Sequence, residues 1–280
     1  MPDAGFLFKV SRPRFWLYVF GPYLIGLAAG AASKEDFFRI DSIIFGLYFL
    51  LPANLLIYGI NDIFDFETDR LNPKKSSYEI LVGPESHRSL AVWIILLNLP
   101  FIAAAYFIAP QTLPSLAGFI FFSVFYSAPP MRAKTIPIVD SIFNILYIFS
   151  GAFSYQMLTG LFPPFAVLLA AGLWTMSMHA YSAIPDVDSD REAGLSTVAT
   201  LLGKNGTLLF CLLAYLSSAV LAFAYLGYFA VVMGAVYVFM IAISFLPSKE
   251  DRVFLIYRYF PLLNAGVGFL LFWFVALKLA

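Results

Sequence analysis

"SLAVWIILLNLPFIAAAYFIAPQTLPSLAGFIFFSVFYSAPPM" runs from Ser89 to Met131, forty-three residues without a charge. A helix needs about 20 apolar residues to cross a bilayer. The stretch is too long for one crossing and right for two. "APQTLP" (Ala109–Pro114) places two prolines near its middle, where a turn belongs. Backbone groups in lipid must be satisfied within the segment, which leaves helices or closed barrels. The alternation that a barrel requires is absent.

The same reading extends in both directions. Ser141–Pro185 and Asn205–Ser248 are runs of similar length, broken by "TGLFPP" (Thr159–Pro164) and "YLGY" (Tyr225–Tyr228). Phe15–Ser33, Ser42–Ile60 and Tyr259–Leu277 are single charge-free runs. The expected fold is all-α and polytopic: nine transmembrane helices in a bundle around a central cavity, forming one domain over residues 1–280. Composition agrees, with 61% hydrophobic and 12% charged residues, against about 25% charged in soluble domains. Phe15–Ser33 reads as a retained span, since no small-residue cleavage pattern follows it.

Net charge is zero, so no electrostatic case exists for a nucleic-acid partner. The single Cys211 excludes an intrachain disulfide and a cysteine-based zinc cluster, and reads as a small buried filler. With the N-terminus inside, the inner segments hold fourteen of the seventeen Lys and Arg, among them Lys75, Arg88, Arg132 and Lys134. That orientation puts the long charged loops in the cytoplasm and the C-terminus outside the cell membrane.

Those loops concentrate the polar chemistry. "NDIFDFETD" (Asn61–Asp69) brings Asp62, Asp65, Glu67 and Asp69 to the end of an apolar run. Asn61, Asp65 and Asp69 are spaced by four, so a continuous helix would stack them on one face with Asp62 at its edge. Carboxylates so placed repel one another beside lipid and need positive charge, which Arg70, Lys74 and Lys75 could partly supply. "IPDVDSDREAG" (Ile184–Gly194) repeats the spacing through Asp186 and Asp190, with Asp188 alternating toward solvent. Both clusters end an even-numbered span, so they are expected to converge across the bundle centre. Hard oxygen ligands of this kind suit Mg²⁺. Arg132 and Lys134, in "YSAPPMRAKTIPIVD" (Tyr126–Asp140), suit a phosphate, although a positive-inside signal accounts for them equally. His87 could assist a phosphate. His179 reads as a satisfied bundle histidine.

Together these motifs resemble the UbiA-type intramembrane prenyltransferase family. "NDIFDFETD" matches its NDxxDxxxD signature, "DVDSD" its DxxxD motif, and "YSAPPMRAK" its YSxPPxRxK segment. "SRPRFW" (Ser11–Trp16) is similar to its RP element, and "NPKK" (Asn72–Lys75) to its post-motif loop. The loop that follows, "SSYEILVGPESHRS", is longer and less basic than the family's, and Pro130 stands where some members carry lysine.

The resemblance implies transfer of an allylic prenyl group from a prenyl diphosphate to a lipophilic acceptor. It makes Asn61, Asp62, Asp65, Asp69, Asp186 and Asp190 ligands of two Mg²⁺ ions. Asn61, Asp62, Lys75, Arg88, Arg132 and Lys134 would bind diphosphate; Asp65, Asp186, Asp190, Arg132 and Lys134 would be catalytic. Asp140 or Tyr126 could take a proton. The overall character looks most like the lycopene-elongase branch. The alternatives are an aromatic or quinone-precursor acceptor or, in a different class, a transporter with acidic sites at the membrane edge.

Overall fold

The structure is a computed structural model describing residues 3–70, 80–246 and 252–279. Among these residues the chain is helical, with no strand. The helices are α1 (Ala4–Val10), α2 (Leu17–Gly30), α3 (Ile40–Leu50), α4 (Pro52–Phe64), α5 (Phe66–Asp69), α6 (Pro84–Ile108), α7 (Leu113–Ser127) and α8 (Val139–Ile142). There follow α9 (Leu146–Thr159), α10 (Phe165–Ala183), α11 (Val187–Glu192), α12 (Val198–Leu226), α13 (Tyr228–Phe245) and α14 (Arg252–Ala276).

Helices break where the turn signals lie. A 3₁₀ turn at Pro110–Thr112 separates α6 from α7, α9 stops at Thr159, and Gly227 alone divides α12 from α13. Six helical segments among the described residues are long and apolar enough to cross a membrane: Ile40–Phe64, Pro84–Ile108, Phe165–Glu192, Val198–Leu226, Tyr228–Phe245 and Arg252–Leu279. The chain is an integral membrane protein. Three further helices, α2, α7 and α9, lie where the sequence reading expects spans, but have only 14 or 15 residues. At 1.5 Å per residue such helices reach about 21 Å, short of a ~30 Å core. Nine full spans are therefore more than helix length alone supports.

The residues form two compact units. Unit 1 comprises residues 1–132, 146–162 and 268–280; unit 2 comprises 133–145 and 163–267.

In unit 1, α2 lies against α9 with backbones nearly touching. A Cβ built on Gly26 would stand 2.0 Å from the Gly151 carbonyl oxygen, so only glycine fits. Ser150 and Ser154 of α9 donate across the seam to the carbonyls of Val19 and Tyr23, at 2.7 and 2.6 Å. Tyr48, Phe49, Phe119 and Phe153 interlock behind it with edge-on rings. Of the apolar window in Ile40–Phe64, 67% is buried, against 17% for α6. The α3–α4 segment is thus the inner one, and it delivers the first acidic cluster.

In unit 2, α10 packs on α12 through small and hydroxylated residues. Ser218 donates to Ala170 O at 2.7 Å, and Ser177 and Cys211 exchange bonds with each other's carbonyls. Cys211 is fully buried there. Tyr181 and Ser244 join α10 to α13 at 3.0 Å, and Tyr237 donates to Asn264 of α14 at 3.0 Å. Helix α12 carries one interruption, Gly203, whose φ of 67° a side chain would strain.

Candidate active site

The first acidic cluster is not one continuous helix face. Helix α4 stops at Phe64, and Asp65 takes φ −109°, ψ 6° before α5 begins. The break lets the Asp65 carbonyl accept from the hydroxyl of Thr68 at 2.9 Å as well as from the Thr68 and Asp69 amides. Asp69 therefore stands on a separate short helix, half-buried, while Asp62 and Asp65 are buried.

Burying two carboxylates costs several kcal/mol each unless partners attend them. Asp65 Oδ2 accepts from the Ser127 hydroxyl at 2.8 Å and from the Asn61 amide, which also donates to Ser127 Oγ at 3.0 Å. Arg132 Nη2 lies 3.5 Å from Asp65 Oδ1 and donates to Phe64 O at 3.4 Å. Arg12 Nη2 donates to Asp62 Oδ1 at 2.7 Å and to Asn61 Oδ1 at 3.3 Å. Its guanidinium sits over the Tyr58 ring, 4.8 Å from the centroid.

Arg12 and Arg132 supply the positive charge that the sequence reading assigned to neighbours of the motif. Arg70 instead pairs with exposed Glu67 at 3.0 Å, and Lys74 and Lys75 lie outside the described residues. Both arginines have left-handed backbones, with φ of 50° and 43°. Such conformations cost about 1–3 kcal/mol and persist where surrounding contacts over-determine them.

The second cluster, in unit 2, has the same local design. Helix α10 ends at Ala183, Pro185 sits in a 3₁₀ turn, and Asp186 takes φ −97°, ψ 1° before α11. Ser189 donates to the Asp186 carbonyl at 2.9 Å. Asp186 and Asp190 are half-buried. Asp190 Oδ2 accepts from the Thr197 hydroxyl at 3.4 Å, and its carbonyl accepts from the Leu195 amide at 2.8 Å. Asp188 is fully exposed, 3.9 Å from Arg191. Lys134, half-buried, lies in a 3₁₀ turn of this unit.

Arg88 is exposed on the second turn of α6. His87 donates to the Val82 carbonyl at 3.0 Å, which occupies that ring nitrogen locally. Two partners of the cluster have no signal in the spacing: Arg12 lies within "SRPRFW", and Ser127 directly follows Tyr126 in "YSAPP".

Each unit thus carries an aspartate corner that joins an apolar helix to a short polar one, in a chain with six helical segments apolar enough to cross a membrane among the described residues. Residues 19–253 match the UbiA prenyltransferase family, and the chain belongs to that family; it is a prenyltransferase. It is 39% identical over 269 residues to the lycopene elongase/hydratase of Haloferax volcanii, spanning 95% of this chain and 87% of that protein. It is 34% identical to the lycopene elongase/hydratase of Corynebacterium glutamicum over 221 residues, 75% of this chain and 74% of that one. A solved UbiA homolog from Archaeoglobus fulgidus, bound to DMAPP and Mg²⁺, has the same fold, with TM-score 0.73 and 22% identity, covering 95% of this chain and 98% of that one.

Proposed function

We propose that this chain, acting as one prenyltransferase domain, transfers an allylic prenyl group from a diphosphate donor to the end of a lycopene-type carotenoid. The carotenoid acceptor is supported by the two elongase/hydratase relatives, and the allylic donor by the DMAPP-bound fold neighbour. The observation that carries the reading is the buried Asp62 and Asp65, joined by half-buried Asn61 and flanked by Arg12 and Arg132.

The donor set fits Mg²⁺ by chemistry. Asn61, Asp62, Asp65 and Asp69 offer oxygen ligands only, and Asp186 and Asp190 offer more. Among the described residues no three acidic, His or Cys side chains are gathered closely enough to enclose an ion; Arg12 and Arg132 hold Asp62 and Asp65 instead. Asn61, Asp62, Asp65 and Asp69 would form one ligand set and Asp186 with Asp190 a second, for two ions. When bound, the metal neutralises the diphosphate and eases its departure as a Lewis acid.

The protein's own residues do the rest. Arg132, half-buried beside Asp65, offers a planar guanidinium to phosphate oxygens, and Lys134 and Arg88 offer further charge. Apolar helices exclude water from the allylic cation, which would otherwise hydrolyse. Tyr58, already beneath the Arg12 cation, shows that this region can present a ring face to positive charge. The acceptor's alkene then attacks and a proton leaves.

We also read α2, α7 and α9 as crossings completed by their flanking turns, which gives nine, with the N-terminus and both acidic corners cytoplasmic. Membrane vesicles given labelled DMAPP and lycopene test the function. A product heavier by five carbons, formed with Mg²⁺ and not with EDTA, is expected. Prenylation of an aromatic acid in place of lycopene would replace the acceptor. Absence of diphosphate release with every acceptor would overturn the reading.

A further inference from the structure

Helix α12 is capped twice. Thr197 supplies the local cap: its hydroxyl accepts from the Thr200 amide at 3.3 Å, and its own amide donates to the Thr200 hydroxyl at 2.8 Å. A second cap comes from much earlier in the chain. Asp140 Oδ2, in the first turn of α8, accepts from the Val198 amide at 2.9 Å. Asp140 has no exposed surface, and its Oδ1 is buried with no hydrogen-bond partner among the described residues. His179 Nε2 lies 3.7 Å from Oδ2. As a stabilising device this is a poor one, since a buried carboxylate with so few bonds recovers little of its desolvation cost. A helix that already has a cap needs no second. What the bond does provide is a tie between two segments of unit 2.

Both segments carry groups of the diphosphate site. On one side, Lys134 stands in the turn Ala133–Thr135. Ile136 N donates to Ala133 O at 3.0 Å, and Asp140 N to Ile136 O at 2.9 Å, so backbone bonds run from that turn to Asp140. Between them Ile138 takes φ 73°, a conformation strained for a β-branched residue and kept only where neighbouring contacts enforce it. On the other side, the Thr197 hydroxyl donates to Asp190 Oδ2 at 3.4 Å, and the Leu195 amide to the Asp190 carbonyl at 2.8 Å. The start of α12 is the node at which the two paths meet.

We propose that Asp140 is a positioning residue: by binding the first amide of α12 it fixes the spacing of Lys134 and Asp190 for one diphosphate. The assignment rests on the prenyl-transfer reading. A cation on a turn and a carboxylate beside a helix corner serve one ligand well only if their spacing is set beforehand; otherwise binding must bear the ordering entropy. Asp140 touches no reacting atom and acts through the Val198 N–H.

The bond can be cut from either end. Asp140→Ala removes the acceptor. Val198→Pro removes the donor at the first position of α12, where proline suits a helix, and Thr197 before it is already extended, at φ −113° and ψ 170°, as proline requires. Detergent-purified wild type and variants are given DMAPP, Mg²⁺ and lycopene. Each variant is expected to raise KM for DMAPP about tenfold with kcat within about threefold, and the double variant should add less than about twofold to either, since both cut one bond. Lys134→Ala, costing about tenfold by itself, should add less than about twofold to Asp140→Ala. Asp140→Asn keeps an oxygen for the Val198 amide and should hold KM within about threefold of wild type. Without turnover, the rise in thermal midpoint given by inorganic pyrophosphate with Mg²⁺ should shrink in both cut variants and not in Asp140→Asn. An unchanged KM in Val198→Pro, or full additivity of Lys134→Ala with Asp140→Ala, overturns the proposal. So does an Asp140→Asn as impaired as Asp140→Ala, which would put the charge beside His179, not the bond, in control. If Asp140→Ala fails to fold, Val198→Pro and Asp140→Asn decide. A wild type that releases no diphosphate with any acceptor sinks the prenyl-transfer reading itself, a result distinct from an active enzyme with unaltered KM.

Discussion

Asp65 and Asp186 occupy corners of nearly identical backbone shape in different surroundings. Each follows an apolar helix, each takes φ near −100° with ψ near 0°, and each has a hydroxyl three residues on, Thr68 or Ser189, donating to its carbonyl at 2.9 Å. Asp65, however, is fully buried and gripped by Ser127, Asn61 and Arg132, whereas Asp186 remains half-buried. The corner is a way of turning a carboxylate out of a helix end. The surroundings decide whether that carboxylate also supports the fold.

Substitutions at the two corners should separate these roles. Asp65→Asn and Asp186→Asn are each expected to lower turnover of DMAPP by about 10³-fold, the scale for losing a principal electrostatic group at the reacting centre. Near-normal turnover in either would remove that corner from the chemistry. Next in size is Arg12→Ala. It leaves Asp62 buried without its guanidinium, and should destabilise the protein in detergent by about 3 kcal/mol, read as a lower thermal midpoint. Asp65→Asn should cost about 1–3 kcal/mol in the same measurement, and Asp186→Asn less than half of that. Equal costs at the two corners would break the contrast. Ser127→Ala removes one donor to Asp65 and should cost about 1 kcal/mol. Smallest is Asp188→Asn, which disturbs only a solvent-exposed pair with Arg191 and should leave turnover and stability within twofold and about 0.5 kcal/mol.

The sequence reveals the apolar helices and their breaks because lipid tolerates no unpaired backbone, so length and hydrophobicity must show in composition. Prolines and glycines at Pro110, Pro163 and Gly227 mark turns for the same reason. It also yields the acidic residues by spacing. It conceals the corner at Asp65, because Asn61, Asp65 and Asp69 at intervals of four are what a straight helix would show. The helix yields there to side-chain bonds from Ser127, sixty-two positions away. Arg12 reaches Asp62 across fifty positions, and Asp140 meets Val198 across fifty-eight. Partnerships of that reach leave no periodic trace. Lengths mislead in α2, α7 and α9, where charge-free runs of about twenty residues fold into helices of 14 or 15.

The glycine contact between α2 and α9 reaches beyond its own location. Gly26 meets Gly151 with no room for a methyl group, and α2 carries at its N-terminal side the short turn that presents Arg12. Any bulk inserted there would act as a wedge, prising the helix away and drawing the guanidinium off its carboxylate. A residue with no functional group, embedded among hydrocarbon, thereby governs how charge is balanced several turns away, and an inactivating replacement could arise without touching one polar atom.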